Sequence, residues 1–500
     1  LSFYFFISKI LSVSKFNEIH DLVRSLDASE ARGFRRFVGQ HLRAGQNNSL
    51  LLFNFLHGQD AVSERPFDDW ARQNGMAKTL SVNLTRLEDQ LLAYLASQQP
   101  LQPAQQVRTL IGQAELLKGR GLLRPCAKVL RKARSLAERH HLCHELLQIG
   151  VLEKAVLFRL KQREVSLNIQ ELLQKDQKAL QDLSEIVHCH GWAVEVHGAA
   201  KLGAAAEAAH RELPRPSHPL ALMHWLQAKG TVALGAGNFG QASSAFEEMA
   251  ALWKQHETDF PGHDASVALT NYLGSCIASR KLDDAARVLN LLKDLHPQNH
   301  YEATRLRENL LYAEQIYCLN IGDFEGAVAL LPTIEEFLRE SVRKLPASKV
   351  LSLLYNTGIA FFALGEWSKS LALFNRIYQA GRLEYRRDVQ NAVRLLRLPL
   401  HIELGNHDLV ESMARSVQRE WEREGWPDRG ERSIVRFFQR ASKSFGKEVS
   451  MAAAELERHI LEAQLIDAGP GYREFTFWLR SKASGNNLLF IFREAIQAHS

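Results

Sequence analysis

A six-residue pattern returns through the second half of this chain at a nearly fixed interval, and that recurrence restricts the fold more than any other feature. It reads as a glycine or polar residue, an acid, amide or other polar residue, a bulky residue, two variable residues and a small one. The copies are Gly237-Asn238-Phe239-Gly240-Gln241-Ala242, Arg280-Lys281-Leu282-Asp283-Asp284-Ala285, Gly322-Asp323-Phe324-Glu325-Gly326-Ala327 and Gly365-Glu366-Trp367-Ser368-Lys369-Ser370. A weaker fifth is Gly405-Asn406-His407-Asp408-Leu409-Val410, and successive copies lie 40 to 43 residues apart. A fixed period of this length marks an array of similar supersecondary units.

Each position has a physical task. Glycine adopts the left-handed backbone that ends a helix. The acid or amide after it caps the next helix and favours its positive end. The bulky residue fills the corner, and the small one lets two helix backbones approach. One turn further on stand Phe246, Leu289, Leu331, Phe374 and Ala414. The pattern therefore predicts helix–turn–helix units. Composition agrees: the 500 residues include 14 prolines and 30 glycines, and apolar residues recur at three- and four-residue spacing.

Two copies resemble tetratricopeptide repeats. Leu354, Gly358, Phe361, Gly365, Trp367, Ser370 and Phe374 stand at that family's signature spacing, as do Leu226, Gly230, Ala233, Gly237, Phe239, Ala242 and Phe246. The interval here is longer than the usual repeat of ~34 residues, which calls for longer helices or connections. The order from Phe16 to Leu160 also resembles uncharacterised bacterial helical proteins with degenerate repeats. The resemblance implies an all-α, right-handed α-solenoid of helix pairs with helical caps at both ends. Residues 1–15 are read as an uncertain leader or first helix, 16–103 as an N-terminal helical cap and 104–222 as degenerate repeats. Residues 223–425 are read as the tetratricopeptide-like repeats and 426–500 as a C-terminal cap. Within the first cap, helices are expected from Ser29, as N-cap, and over Leu80–Ala96, with Pro100 and Pro103 ending the latter.

The resemblance also implies where a partner would sit. In that family the first helix of each pair lines an inner groove, and an asparagine there often holds peptide backbone. That slot carries Asn271 and Asn356, and the slot before it Gln227, Thr270, Tyr312 and Tyr355. Tyr supplies amphipathic contact area and Asn backbone hydrogen bonds, so Gln227, Asn271, Tyr312, Tyr355 and Asn356 form the candidate groove. A bland alternative has the amides bridging adjacent helices. The basic clamp that some family members use for C-terminal carboxylates does not occupy these slots.

Charge supplies a second candidate surface. Net charge is +6, and the segment Lys118–Arg139 alone holds eight Lys or Arg and one acid. Arg124, Lys128, Arg131, Lys132 and Arg139 follow helical spacing opposite Val129, Leu130, Ala133 and Leu136. Arg429, Arg432, Arg436, Arg440, Lys443 and Lys447 make a second row. Such rows suit phosphates or acidic partners, although they lack the interleaved aromatics of single-strand binders.

Other motifs carry less. Gly235-x-Gly237-x-x-Gly240 spells a dinucleotide fingerprint but follows a predicted helix where a strand is required, and Gln241-Ala242 replace the Lys and Ser or Thr of a phosphate loop. His140, Cys143 and His144, with His188-Cys189-His190, are read as exposed histidines beside small buried cysteines rather than zinc ligands. The pairs Glu247-Glu248 and Glu335-Glu336 read as solvated faces. Five unpaired cysteines point to a reducing, cytoplasmic setting, so the sequons at Asn47 and Asn83 are chance matches. The apolar start ends near Val13 and is interrupted by Lys9, too short to span a bilayer. An interfacial anchor, a start-site artefact or the first helix would account for it, and the last two are favoured. The expectation is a non-catalytic scaffold for a protein or peptide, with no cofactor. A nucleic-acid-binding repeat and an enzyme whose site is assembled from distant residues are the alternatives.

Overall fold

A computed structural model describes residues 15–26, 28–40, 48–58, 64–98, 103–160, 165–201, 213–256, 262–297, 300–341, 347–379, 386–423, 429–441, 447–463 and 470–498. The apolar leader and the sequon at Asn47 lie outside them. Regular structure is all-helical among the described residues. No helix there is long and apolar enough to cross a membrane. The chain divides into two compact units, Leu1–Ala179 and Leu180–Ser500. That division falls inside the segment 104–222, expected from sequence as one stretch.

The first unit holds α1 (Lys15–Arg24), α2 (Ala28–Gln40), α3 (Asn48–His57), α4 (Glu64–Gln73), α5 (Leu80–Gln98), α6 (Pro103–Gly119), α7 (Leu123–Arg139) and α8 (Cys143–Leu160). α9 (Val165–Lys201) contains the division between the units. Ser29 lies inside α2 rather than capping it, because the helix begins one residue earlier. α1 to α5 enclose an aromatic core in which Phe16 meets Phe67 at 4.3 Å between ring centroids and Phe34 meets Phe53 at 4.7 Å. Asn83 of α5 is buried and donates to Thr79, just before that helix. α6, α7 and α8 bury Val107, Cys126, Leu130, Ala133 and Ile149 together.

The second unit continues with α10 (Pro219–Gly235), α11 (Phe239–Gln255), α12 (Gly262–Ala278), α13 (Leu282–Lys293), α14 (His300–Ile321), α15 (Phe324–Ala329) and α16 (Leu331–Ser341). It ends with α17 (Ala347–Ala363), α18 (Trp367–Gln379), α19 (Arg387–Glu403), α20 (His407–Arg423), α21 (Arg429–Ala441), α22 (Lys447–Glu462), α23 (Tyr472–Ser484) and α24 (Leu488–Ala498).

The recurring pattern is a single turn geometry. Its first residue is left-handed every time, with φ of 72° at Gly237, 59° at Arg280, 79° at Gly322 and 74° at Gly365 and Gly405. The next N–H closes back onto a carbonyl five residues earlier: Asn238 to Ala233, Lys281 to Cys276, Asp323 to Cys318, Glu366 to Phe361 and Asn406 to His401. This is the six-to-one closure that satisfies helix-terminal carbonyls. Asn238 and Asp323 cap the following helix by accepting from the N–H groups of Gln241 and Gly326. The same turn occurs in the first unit at Gly121 and at His141, a non-glycine residue with φ 54°.

Across these turns α10 packs on α11, α12 on α13 and α17 on α18. Pro332 divides the third copy's second helix into α15 and α16, since proline cannot donate the N–H that would continue it. Successive first helices also touch: α12 meets α14, α14 meets α17, and α17 meets α19. The amides joining them are Asn309, which donates to Ser266 at 3.0 Å, and Gln315, which donates to Thr357 at 2.7 Å.

The chain then turns back. α20 to α23 pack in succession, but α23 also lies on α19, and α24 on α17. The Trp478 indole N–H donates to Glu403 at 2.6 Å. Arg493 reaches Glu325 at 2.8 Å, and Phe492 stands edge-on to Phe324. The last helices are thus anchored on the third copy's turn, through Phe324 and Glu325, and on α19, through Glu403.

Candidate functional site

The candidate groove residues occupy the first helices α10, α12, α14 and α17, but in unlike surroundings. Gln227, Asn271 and Tyr312 are half-buried. No hydrogen bond joins the Asn271 side chain to another described residue; the bridging role between first helices is taken by Asn309 and Gln315. Thr270, beside it, is buried and donates to the Ser266 carbonyl at 2.6 Å. The Tyr312 ring carries the Lys349 ammonium 4.6 Å from its centroid, a cation–π contact.

Tyr355 differs. It is only 8% exposed, stacked on Phe374, and its hydroxyl has no hydrogen-bond partner. Burial raises its pKa well above the ordinary value; the charges of Glu474, Arg473, Asp388 and Arg386 lie around it. Glu474 and Arg473 belong to α23, so the returning C-terminal segment lies within electrostatic reach of this position. The Asn356 amide nitrogen next to it is also buried without a partner. The groove reading placed Tyr355 at a binding surface, whereas the structure covers it.

Charged residues that the sequence reading passed over surround these positions. Arg305 pairs with the fully buried Glu308 at 2.5 Å. Arg305 Nε and Glu308 Oε1 are left without hydrogen-bond partners. Burial first, then the charges of Arg305 and Arg386, lowers the pKa of Lys349, with Glu308 opposing. Arg386 donates to Ser352 at 2.7 Å and grips Asp388 at 3.0 Å. A signal existed: Arg305, Glu308 and Tyr312 share one helical face, as do Lys349, Ser352 and Asn356. Charge on the inward stripe of a first helix marks a polar site.

The basic row takes a simpler form. Arg124, Lys128, Arg131, Lys132 and Arg139 are all exposed along α7, with no ion pair among the described residues. Arg134, within the same basic run, instead points inward and holds Glu153 at 2.7 Å. Of the second row, Arg432, Arg436 and Arg440 are exposed on α21. The side chains of Arg429 and Lys447, and Lys443 altogether, lie outside the description.

Comparison with protein-family models, curated proteins and solved structures finds no match to this chain.

The remaining motifs resolve into structure. Gly235 ends α10, Gly237 makes the turn and Gly240 lies in the first turn of α11, with no strand before these helices. His188 bonds the Ser184 carbonyl one turn back, and the His190 ring lies tilted 4.7 Å from that of His224. Among the described residues no group of three His, Cys, Asp or Glu could hold a metal ion. The five cysteines are free; four are buried and Cys318 is half-buried. A cleft of about 340 Å³ opens where Gly365 and Trp367 meet Glu403, Lys482 and Asn486. Its one carboxylate, Glu403, is bonded to Trp478 and paired with Lys482 at 2.6 Å, so the cleft marks a structural joint.

Proposed function

We propose that the second unit is a right-handed, tetratricopeptide-like solenoid, and that it is a non-catalytic scaffold for an extended segment or helix of another protein. The observation that carries this reading is the row of touching first helices. On those helices stand the half-buried Asn271 and Tyr312 and the unpaired polar atoms Arg305 Nε, Glu308 Oε1 and Asn356 Nδ2, and Gln227 is half-buried on α10. Peptide N–H and C=O groups are the complementary chemistry, because unmatched buried polar atoms are costly until they are paired. The turns support the solenoid half of the proposal, since one geometry recurs at each copy. Binding would centre on Gln227, Asn271 and Tyr312.

The test is a quantitative pull-down in which wild type is set beside an Asn271→Ala, Tyr312→Ala variant. A protein ligand held by the wild type and lost by a variant that melts normally supports the groove. An unchanged affinity sinks it.

A second reading rests on α7. Five exposed cationic side chains without ion-pair partners among the described residues make a face suited to a polyanion such as nucleic acid. Its binding should weaken steeply with salt, each phosphate contact contributing to the slope. Salt-independent binding, or none, removes this reading.

A further inference from the structure

α9 is amphipathic twice over. One side is buried through Ala179, Cys189, Trp192, Ala193 and Val196. The opposite side carries a row of exposed apolar residues seven apart: Leu173 at 46% exposure, Leu180 at 59%, Val187 at 61% and Val194 at 59%. Four residues beyond each stands a small or polar one, Gln177, Ser184, Gly191 and Gly198, all exposed. Alternating steps of four and three are the heptad seam by which one helix receives another. A surface of this form calls for a helix as its occupant.

Gly191 adds independent support. It lies inside a regular helix, where glycine costs about 1 kcal/mol relative to alanine. A Cβ added there would meet nothing within 4 Å, and the same holds at Gly198. The chain's own packing does not require either residue to be glycine. A backbone or large side chain arriving from outside would.

The seam is complementary to itself in one orientation. Two copies laid antiparallel about an axis between Glu185 and Ile186 oppose Leu180 to Gly191 and Val187 to Ser184, and each pairing occurs twice. These central layers lie wholly in the second unit. Every layer then joins a large apolar residue to a smaller or more polar one. In parallel register Gly191 would face Gly191, leaving voids, and Leu180 would crowd Leu180. Beside the central layers stand Gln181, Leu183, His188 and His190, so no row of like fixed charge opposes itself. A two-fold axis using one patch on both subunits is the commonest oligomer geometry. We infer that the exposed seam of α9 is an antiparallel homodimer interface, and that its partner is a second copy of this chain.

Sedimentation of the full chain across micromolar concentrations tests this. The expected result is a monomer–dimer equilibrium. Leu180→Glu with Val187→Glu should raise the dissociation constant more than about tenfold, because two exposed apolar anchors per subunit are lost. Gly191→Leu should do likewise by colliding with Leu180 of the other copy, while its own helix accepts the side chain. Unchanged circular dichroism and melting would separate lost association from lost folding. Orientation is read by mixing a Leu180→Cys chain with a Gly191→Cys chain and adding a short thiol cross-linker. Mixed 180–191 products are expected. A chain that stays monomeric, a dimer indifferent to both changes at Leu180 and Val187, or like-with-like cross-links would each overturn the inference.

Discussion

The ring of Phe374 lies across Gly358 so closely that a Cβ on the glycine would enter it, and Ser370 donates to the Gly358 carbonyl at 2.8 Å. Phe246 covers Gly230 in the same way, an added Cβ falling 2.6 Å from the ring. Glycine, small residue and aromatic thus form one device joining α17 to α18 and α10 to α11. Gly358→Ala should destabilise the chain by about 1–3 kcal/mol, the usual cost of overpacking. Urea unfolding followed by circular dichroism measures it, and a midpoint equal to wild type would show that the helices slide apart freely.

Arg280 occupies the turn position that glycine fills in the other four copies, with φ 59°. A left-handed L-residue costs roughly 1–2 kcal/mol, offset in part by glycine's greater freedom when unfolded. Arg280→Gly should therefore raise stability by up to about 1 kcal/mol, whereas Gly365→Ala should lower it. Differential melting of the two variants checks the opposite signs.

These turns were legible because their chemistry is local: glycine, cap and small residue sit within six positions, and even Arg280 is found by period. The candidate groove was legible only as slots. Its environment depends on Glu474 and Arg473, which follow Tyr355 by more than a hundred residues and carry no local sign of where they dock. The Arg493–Glu325 contact is equally hidden, since no repeat position calls for it. In α9 the period blurs because apolar residues lie on both faces, and only burial separates Trp192 and Val196 from Val187 and Val194.

Burial, and then the adjacent His190 ring, hold the His224 imidazole down at about 4, against an ordinary 6.5. The folded chain keeps it neutral while the unfolded chain takes a proton near pH 6.5, so the unfolded state binds more protons between those values. Stability is then complete above about pH 6.5 and falls as pH drops toward 4. Full protonation corresponds to a loss of order 3 kcal/mol. Melting temperatures at pH 7 and pH 5 should differ less in a His224→Asn variant than in wild type. An equal difference would assign the acid sensitivity to other groups.

One carboxylate joins α23 to the end of α19. Glu403 accepts from the Trp478 indole and pairs with Lys482, both at 2.6 Å, while Trp478 is fully buried. Glu403→Ala leaves the indole N–H unmatched in the core, at about 1–3 kcal/mol. Glu403→Gln keeps an acceptor and loses only the ion pair with partly exposed Lys482, worth about 1 kcal/mol or less. The alanine variant should also loosen α23 from α19 and speed hydrogen exchange around Tyr355, which lies within electrostatic reach of Glu474 and Arg473 of α23. Exchange measured by mass spectrometry on both variants decides the point. Faster exchange near Tyr355 in the alanine variant alone ties the docking of α23 to Glu403, and equal exchange in both would mean that α23 is held by its apolar face, through Phe475 and Trp478.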